Sequence, residues 1–178
     1  MYKIETNFRC GSILFSIPNF SDNRGEFTKL YNFKELKKIG ITFTVKEHFH
    51  SISNKNVLRG MHFQINEGAH TKIVQCIKGS ILDVFVDVRK DSDFYNKPVA
   101  IKLKGNSALY LPKGMAHGFL SLENNTIVQY LVDKEHNPKN DRGVLWNSID
   151  FNWPIEFPLL SDRDKKHPLI GDQKCIFF

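Results

Sequence analysis

The stretch Leu109–Phe119, LYLPKGMAHGF, changes character twice within a few residues. Leu109 and Leu111 flank Tyr110 with the two-residue period of a strand. Pro112 cannot donate to a β-ladder, and Gly114 is free to take backbone angles closed to other residues. Pro112-Lys113-Gly114 therefore ends one strand in a sharp turn, and the chain re-enters a strand at once with His117 near its start. An imidazole in that place is either a satisfied core group or a group aimed into a cavity.

Upstream, SILDVFVDVRK repeats the period of two, with Leu82, Val84, Val86 and Val88 on one face and Asp83, Phe85 and Asp87 on the other. KIVQCI before it reads as another strand, and Lys78-Gly79-Ser80 as a hairpin turn joining the two. Further strands are predicted at 99–105, 107–112, 117–123 and 126–133, with turns at 104–106, 112–114 and 123–125 between them. VLRGMHFQ, Val57–Gln64, is a strand that carries Arg59 and His62 among apolar residues. Many short strands at this spacing predict a sandwich or barrel. One helix is predicted over 32–40, with Asn32 as N-cap, Glu35 three residues on and Gly40 closing it. The proline-rich tail, 153–170, is predicted as loop with short helical turns. Without repeats, low-complexity segments or linkers, residues 1–178 read as one mostly β domain.

Composition narrows the function. A chain of 178 residues, 41% hydrophobic and 25% charged, can bury a core without staples. No apolar run approaches the roughly 20 residues that span a bilayer, and the first residues lack a secretory core. The expectation is a cytoplasmic protein with no membrane partner. Cys10, Cys76 and Cys175 are odd in number and far apart, which speaks against disulfides and against zinc bound through thiols. A net charge of +6 favours anionic partners. The lysines are scattered rather than clustered, so nucleic acid is not among the partners expected.

Pro112-x-Gly114-x-x-His117 is a feature of jelly-roll barrels of the cupin kind, whose mouths hold histidines from separate strands. His62 and His117, with Arg59 and Lys72, fit such a cavity. A metal is not expected there. Metal-binding cupins carry HxH in the first motif, and here His62-Phe63-Gln64 offers glutamine, a poor ligand for Zn²⁺ or Fe²⁺. Glu67 and His70 follow in a loop. Without a metal, a basic histidine needs an orienting partner. Asp164, in the polar end of the tail, is a carboxylate on offer, although spacing cannot pair it with His62.

RGMHFQ, TKIVQCIKGSILDVFVDVRKDS, LYLPKGMAHGFLSL, VQYL, RGVLWN and LLSDRD stand in the order seen in the dTDP-4-dehydrorhamnose 3,5-epimerase family, from about residue 12 to 170. The chain resembles that family over nearly its whole length. The resemblance implies a metal-free, cofactor-free homodimer of cupin-type jelly rolls that epimerises a nucleotide-linked 4-keto sugar. It implies His62 as the base, Asp164 as its paired carboxylate, Lys72 beside the C4 carbonyl and Tyr130 as the general acid. It places Arg59 and His117 in the sugar pocket and Arg24 on the diphosphate side. Arg163 stands where the family often has lysine.

This chain also departs from the family pattern. Glu47 and Phe49 replace glutamine and asparagine, Lys29 replaces a glutamate, and Glu135-His136 replaces an aromatic pair of which one member stacks on thymine. The substrate-binding set is therefore Arg59, His117, Arg24, Arg163, Glu47 and Gln64. The nucleotide is expected not to be thymidine, with GDP favoured because Glu135 suits guanine N–H donors. The sugar is a 6-deoxyhexose or heptose inverted at C3 and at C5, destined for a surface polysaccharide. The rival readings are a nucleotide-sugar 3,4-ketoisomerase and a non-catalytic sugar-binding cupin.

Overall fold

The computed structural model describes residues 1–172 and 177; Cys175 lies outside them. Its strands are β1 (Lys3–Asn7), β2 (Ile13–Ser16), β3 (Asn19–Asp22), β4 (Gly25–Thr28), β5 (Glu47–Ser53), β6 (Leu58–Gln64), β7 (Lys72–Lys78), β8 (Ile81–Asp87), β9 (Val99–Leu103), β10 (Ser107–Leu111), β11 (Met115–Ser121), β12 (Thr126–Val132) and β13 (Asp141–Gly143). One helix, α1 (Phe33–Lys38), lies between β4 and β5. Its N-cap is Asn32, whose Oδ1 accepts from the Glu35 N–H at 3.1 Å, as the sequence pattern requires.

Two antiparallel sheets face each other. One has six strands in the order β1-β2-β10-β7-β12-β5, the other five in the order β13-β6-β11-β8-β9. A separate ribbon pairs β3 with β4. The expected mostly β jelly roll is the observed architecture.

The turns do something different from what local pattern suggests. Lys78-Gly79-Ser80 does not close a hairpin, because β7 and β8 belong to opposite sheets. β7 pairs with β10 and β12, while β8 pairs with β11 and β9. The turns at 104–106, 112–114 and 123–125 likewise carry the chain across the sandwich. Crossing lets each strand bury one face against the opposite sheet, which a local hairpin would not do. Gly79 has φ +78°, and a Cβ there would sit 2.5 Å from Thr126 Oγ1. The corner is thus packed on the next crossing, and only glycine fits.

Between the sheets lie Val74, Phe85, Leu109, Leu111, Phe119 and Val128. The outer face of the five-stranded sheet, with Met61, Phe63, Val84, Val86 and Val88, is covered by Ile149, Phe151, Trp153 and Ile170 from the tail. The six-stranded sheet is covered at one end by Tyr2, Leu36, Ile41 and Phe43, packed against Phe15, Ile73 and Leu131. Both faces of β8 are consequently buried. The alternation read in SILDVFVDVRK sorts its side chains between two apolar layers rather than between core and water. The apolar filling between the sheets stops short of one end, where a cavity remains. Cys10 and Cys76 are free thiols. No helix among the described residues is long and apolar enough to cross a membrane.

Candidate active site

The cavity has a volume of about 380 Å³ and receives side chains from both sheets. Lys72 on β7, Tyr130 on β12, and Phe49 and Ser51 on β5 line it from the six-stranded sheet. Arg59, His62 and Gln64 on β6 and His117 on β11 line it from the five-stranded sheet. The tail closes it with Ser161, Arg163 and Asp164. His62 and His117 are direct cross-strand partners in the β6–β11 ladder.

His62 and Asp164 meet although 102 residues separate them. His62 Nε2 lies 2.7 Å from Asp164 Oδ1, and the Gly60 N–H donates to Oδ2 at 3.2 Å. With Nε2–H committed to the carboxylate, the lone pair of a neutral imidazole sits on Nδ1, free to take a proton. Asp164 is 3% exposed. Burial pushes its carboxyl up, yet the nearby His167 imidazole, the hydrogen bond to His62 and the Gly60 N–H outweigh that and hold it well below the usual carboxylate range. Burial lowers the affinity of His62 for a proton, and Asp164 opposes this in part. The histidine is thus neutral and its partner charged at neutral pH, the protonation state a general base needs.

Lys72 is 7% exposed and its Nζ lies 3.4 Å from the His62 carbonyl oxygen. Burial lowers its amine from 10.5 to about 8, against the pull of Asp83 and Asp141. Burial pushes the Tyr130 phenol up, and the Asp83 charge adds to this, so the phenol keeps its proton. Its ring stacks on Phe49 with centroids 4.9 Å apart. His117 Nε2 is fixed by Asp83 Oδ2 at 2.8 Å.

The remaining expected residues divide. Arg59 donates to Ser53 Oγ at 3.0 Å, and Arg163 pairs with Asp141 at 2.6 Å, both at the cavity wall. Gln64 is turned to the loop after β12: its Nε2 meets His136 Nδ1 at 2.6 Å, and its Oε1 accepts from the Asn137 N–H at 3.2 Å. Glu47 accepts from the His136 N–H at 2.7 Å and lines a smaller neighbouring recess. Arg24 is not brought to the cavity. It sits at the turn of the β3–β4 ribbon, its side chain 86% exposed and paired with Asp22, because that ribbon joins neither sheet. His136 lines the main cavity with a flat ring, whereas Glu135 lies in a separate shallow depression. Glu135 does not line the main cavity, although His136 borders both.

Comparison with known proteins identifies the family of the chain. A sequence model described as dTDP-4-dehydrorhamnose 3,5-epimerase matches residues 9–172. The chain belongs to that family. It is an epimerase, and a Salmonella typhimurium dTDP-4-dehydrorhamnose 3,5-epimerase is 39% identical over 159 residues, 85% of this chain and 86% of the relative. The Bacillus anthracis enzyme, solved with TDP and PPi bound, superposes with a TM-score of 0.91 at 38% identity, covering 95% of this chain and 99% of that one. The Legionella pneumophila enzyme, solved with dTDP-4-keto-L-rhamnose, gives 0.92 at 26% identity, covering 99% and 98%.

Three cavity or near-cavity groups were given no role by the sequence reading. Asp83 was placed on a strand face without a role, though a carboxylate in the apolar run ILDVFVD signals a buried partner. His70 lines the cavity, and burial together with Lys72 pushes its imidazole down to about 4. His167 packs beside Asp164, three residues on, in the tail. Donor atoms of His62, Asp164 and His167 lie within 4.8 Å of one another, the one such group of three among the described residues. They are turned on each other, so a metal there would have to displace the 2.7 Å bond between His62 and Asp164.

Proposed function

We propose that the enzyme inverts C3 and C5 of a nucleotide-diphospho-4-keto sugar, with His62 as base, Tyr130 as acid and no metal or organic cofactor. The observation that carries this reading is that base and acid come from opposite sheets and line opposite walls of one cavity. His62 Nδ1 takes the proton from the carbon next to the ketone. The C–H electron pair forms the C=C bond of an enolate, and the carbonyl electrons move to oxygen. Lys72, charged below about pH 8, offsets that oxygen charge. Tyr130 then gives its proton to the carbon from the far face, and the enolate electrons return to the carbonyl. Delivery on the face opposite removal is what inverts the centre. Proton transfer from the His62 imidazolium to the phenolate, directly or through water, resets the site.

Arg59 and Arg163 are the guanidinium groups of the wall and suit the diphosphate, while His117, held by Asp83, lines the sugar. Gln64 and Glu47 act indirectly by fixing the loop that carries His136 at the rim, where a nucleobase can stack. A homodimer is supported by β5, an edge strand that exposes Ile52, and by the ribbon with exposed Phe20 and Phe27. In such a dimer Arg24 would serve a site across the subunit boundary. Making an activated sugar for a surface polysaccharide in the cytoplasm fits this chemistry.

The test is incubation with a nucleotide 4-keto-6-deoxy sugar in D₂O, followed by NMR. Inversion with deuterium at C3 and C5 is expected. A product with the carbonyl moved to C3 would make the enzyme a ketoisomerase, and binding without exchange would make it a sugar-binding protein.

A further inference from the structure

We propose that His167 is a positioning residue for the base: its ring nitrogen competes with His62 for one oxygen of Asp164 and so sets how firmly His62 holds a proton. This rests on the assignment of His62 as base. His167 Nε2 lies 3.4 Å from Asp164 Oδ1, the same oxygen that His62 Nε2 meets at 2.7 Å. The His167 side chain is 9% exposed, and its Nε2 is a buried polar atom with no hydrogen-bond partner among the described residues, its approach to Asp164 being too loose to count as one. A buried donor left without a good acceptor is costly, so such a nitrogen asks for a reason. The two imidazole rings stand edge to face, 5.3 Å apart.

The fold keeps a niche for this ring. A 3-10 turn over Asp164–Lys166 brings residues 164 and 167 onto one side of the chain. Gly143, paired with His62 in the β13–β6 ladder, packs on the His167 ring, and a Cβ at position 143 would collide with it. The titratable and charged groups around the two rings are Asp164, Arg163 with its partner Asp141, Lys72, whose amine reaches the His62 carbonyl, and His117, the cross-strand partner of His62 on β11, with its partner Asp83. Lys165 and Lys166 are exposed neighbours in the same turn.

When His62 takes a proton, its hydrogen bond to Asp164 becomes an ion pair. A second donor on the same oxygen weakens that pair and eases release of the proton. Removing the His167 nitrogen leaves the oxygen to His62 alone, and His62 then holds its proton to higher pH. The experiment is an NMR titration of the His62 ring in the free protein, its signal assigned by its loss in His62→Asn. His167→Phe keeps a ring in the niche and removes the nitrogen; the His62 titration is expected to move to higher pH. His167→Gln restores a donor and is expected to bring it back toward wild type. Should His167→Phe not fold, Gly143→Ala, which displaces the ring, is expected to act in the same direction. A His62 titration unmoved by loss or displacement of the ring would mean that His167 only fills space, and the proposal would be wrong. The acid limb of the kcat/KM profile is expected to follow the titration. A moved titration in a protein that exchanges no substrate proton would instead overturn the epimerase mechanism while leaving the coupling of the two rings intact.

Discussion

Asp164→Asn keeps the shape of a side chain and removes its charge. In the folded protein this carboxylate is 3% exposed and holds His62 at 2.7 Å. An asparagine oxygen can still accept one hydrogen bond, yet it offers no counter-charge to the imidazolium that forms when the substrate proton arrives. Removing one partner of a buried pair costs about 3–5 kcal/mol. The His62 side chain is 34% exposed, so solvent screening reduces this to about 2–4 kcal/mol. At about 1.4 kcal/mol per decade, kcat is expected to fall roughly 30- to 1,000-fold. The assay is the initial rate of deuterium incorporation at C3 in D₂O, with affinity for a nucleoside diphosphate measured alongside by calorimetry. That affinity should change by no more than about twofold, since the loss concerns the reaction rather than binding. An asparagine variant within about threefold of wild type in kcat would refute the reasoning. The same substitution changes stability with pH. The Asp164 carboxyl is held below its ordinary value when folded, so it contributes stability above about pH 4 that is lost as pH falls through the folded value. The difference in Tm between wild type and variant is therefore expected at neutral pH and should vanish in strong acid.

Other outcomes follow from the same site. In Tyr130→Phe, washout of the substrate proton should persist because His62 can return deuterium to the face it came from, while inversion falls by about 10²-fold; equal loss of both would show that the tyrosine is not the acid. Lys72→Met removes a buried charge worth roughly 3 kcal/mol against itself at neutral pH, so Tm should rise by about 6–12 °C as turnover falls. That gain should shrink as pH rises above about 8, where the folded lysine loses its proton. Exhaustive chelation should leave turnover unchanged, and activity restored by one divalent metal would revive a metal mechanism. Competition between dTDP, UDP, GDP and CDP measures the base preference, for which weaker binding of dTDP than of another diphosphate is expected from Glu47 and Phe49; a clear preference for dTDP would defeat that expectation.

Some features were legible in the chain because they are local. The period of two in TIVQYLVD and KIVQCI, the proline and glycine of LYLPKGMAHGF, and the Asn32 cap each report a backbone state fixed by neighbouring residues. Edge strand β1, Lys3–Asn7, was not read from the sequence: Lys3, Glu5 and Asn7 alternate with Ile4 and Thr6, but the run is short and largely polar, and all five residues are exposed at the sheet edge. The turn Lys78-Gly79-Ser80 reads the same whether it folds back or crosses over, since a positive φ at glycine serves both. Which of the two occurs depends on what partners β7 and β8 find elsewhere.

The site divides along the same line. Sequence alone determined which residues are chemically able to act, and the family resemblance supplied the pairing of His62 with Asp164. Only the tertiary structure set the distances: it brought the tail under β6, gave His117 to Asp83, turned Gln64 and Glu47 toward the loop of His136, and left Glu135 and Arg24 away from the cavity. Glycine at position 143 looks incidental in RGVLWN until the His167 ring is seen packed on it. The physical reason is that a strand's period fixes which face a side chain takes, whereas its neighbour across a cavity depends on how two sheets pack, and no spacing along the chain encodes that separation.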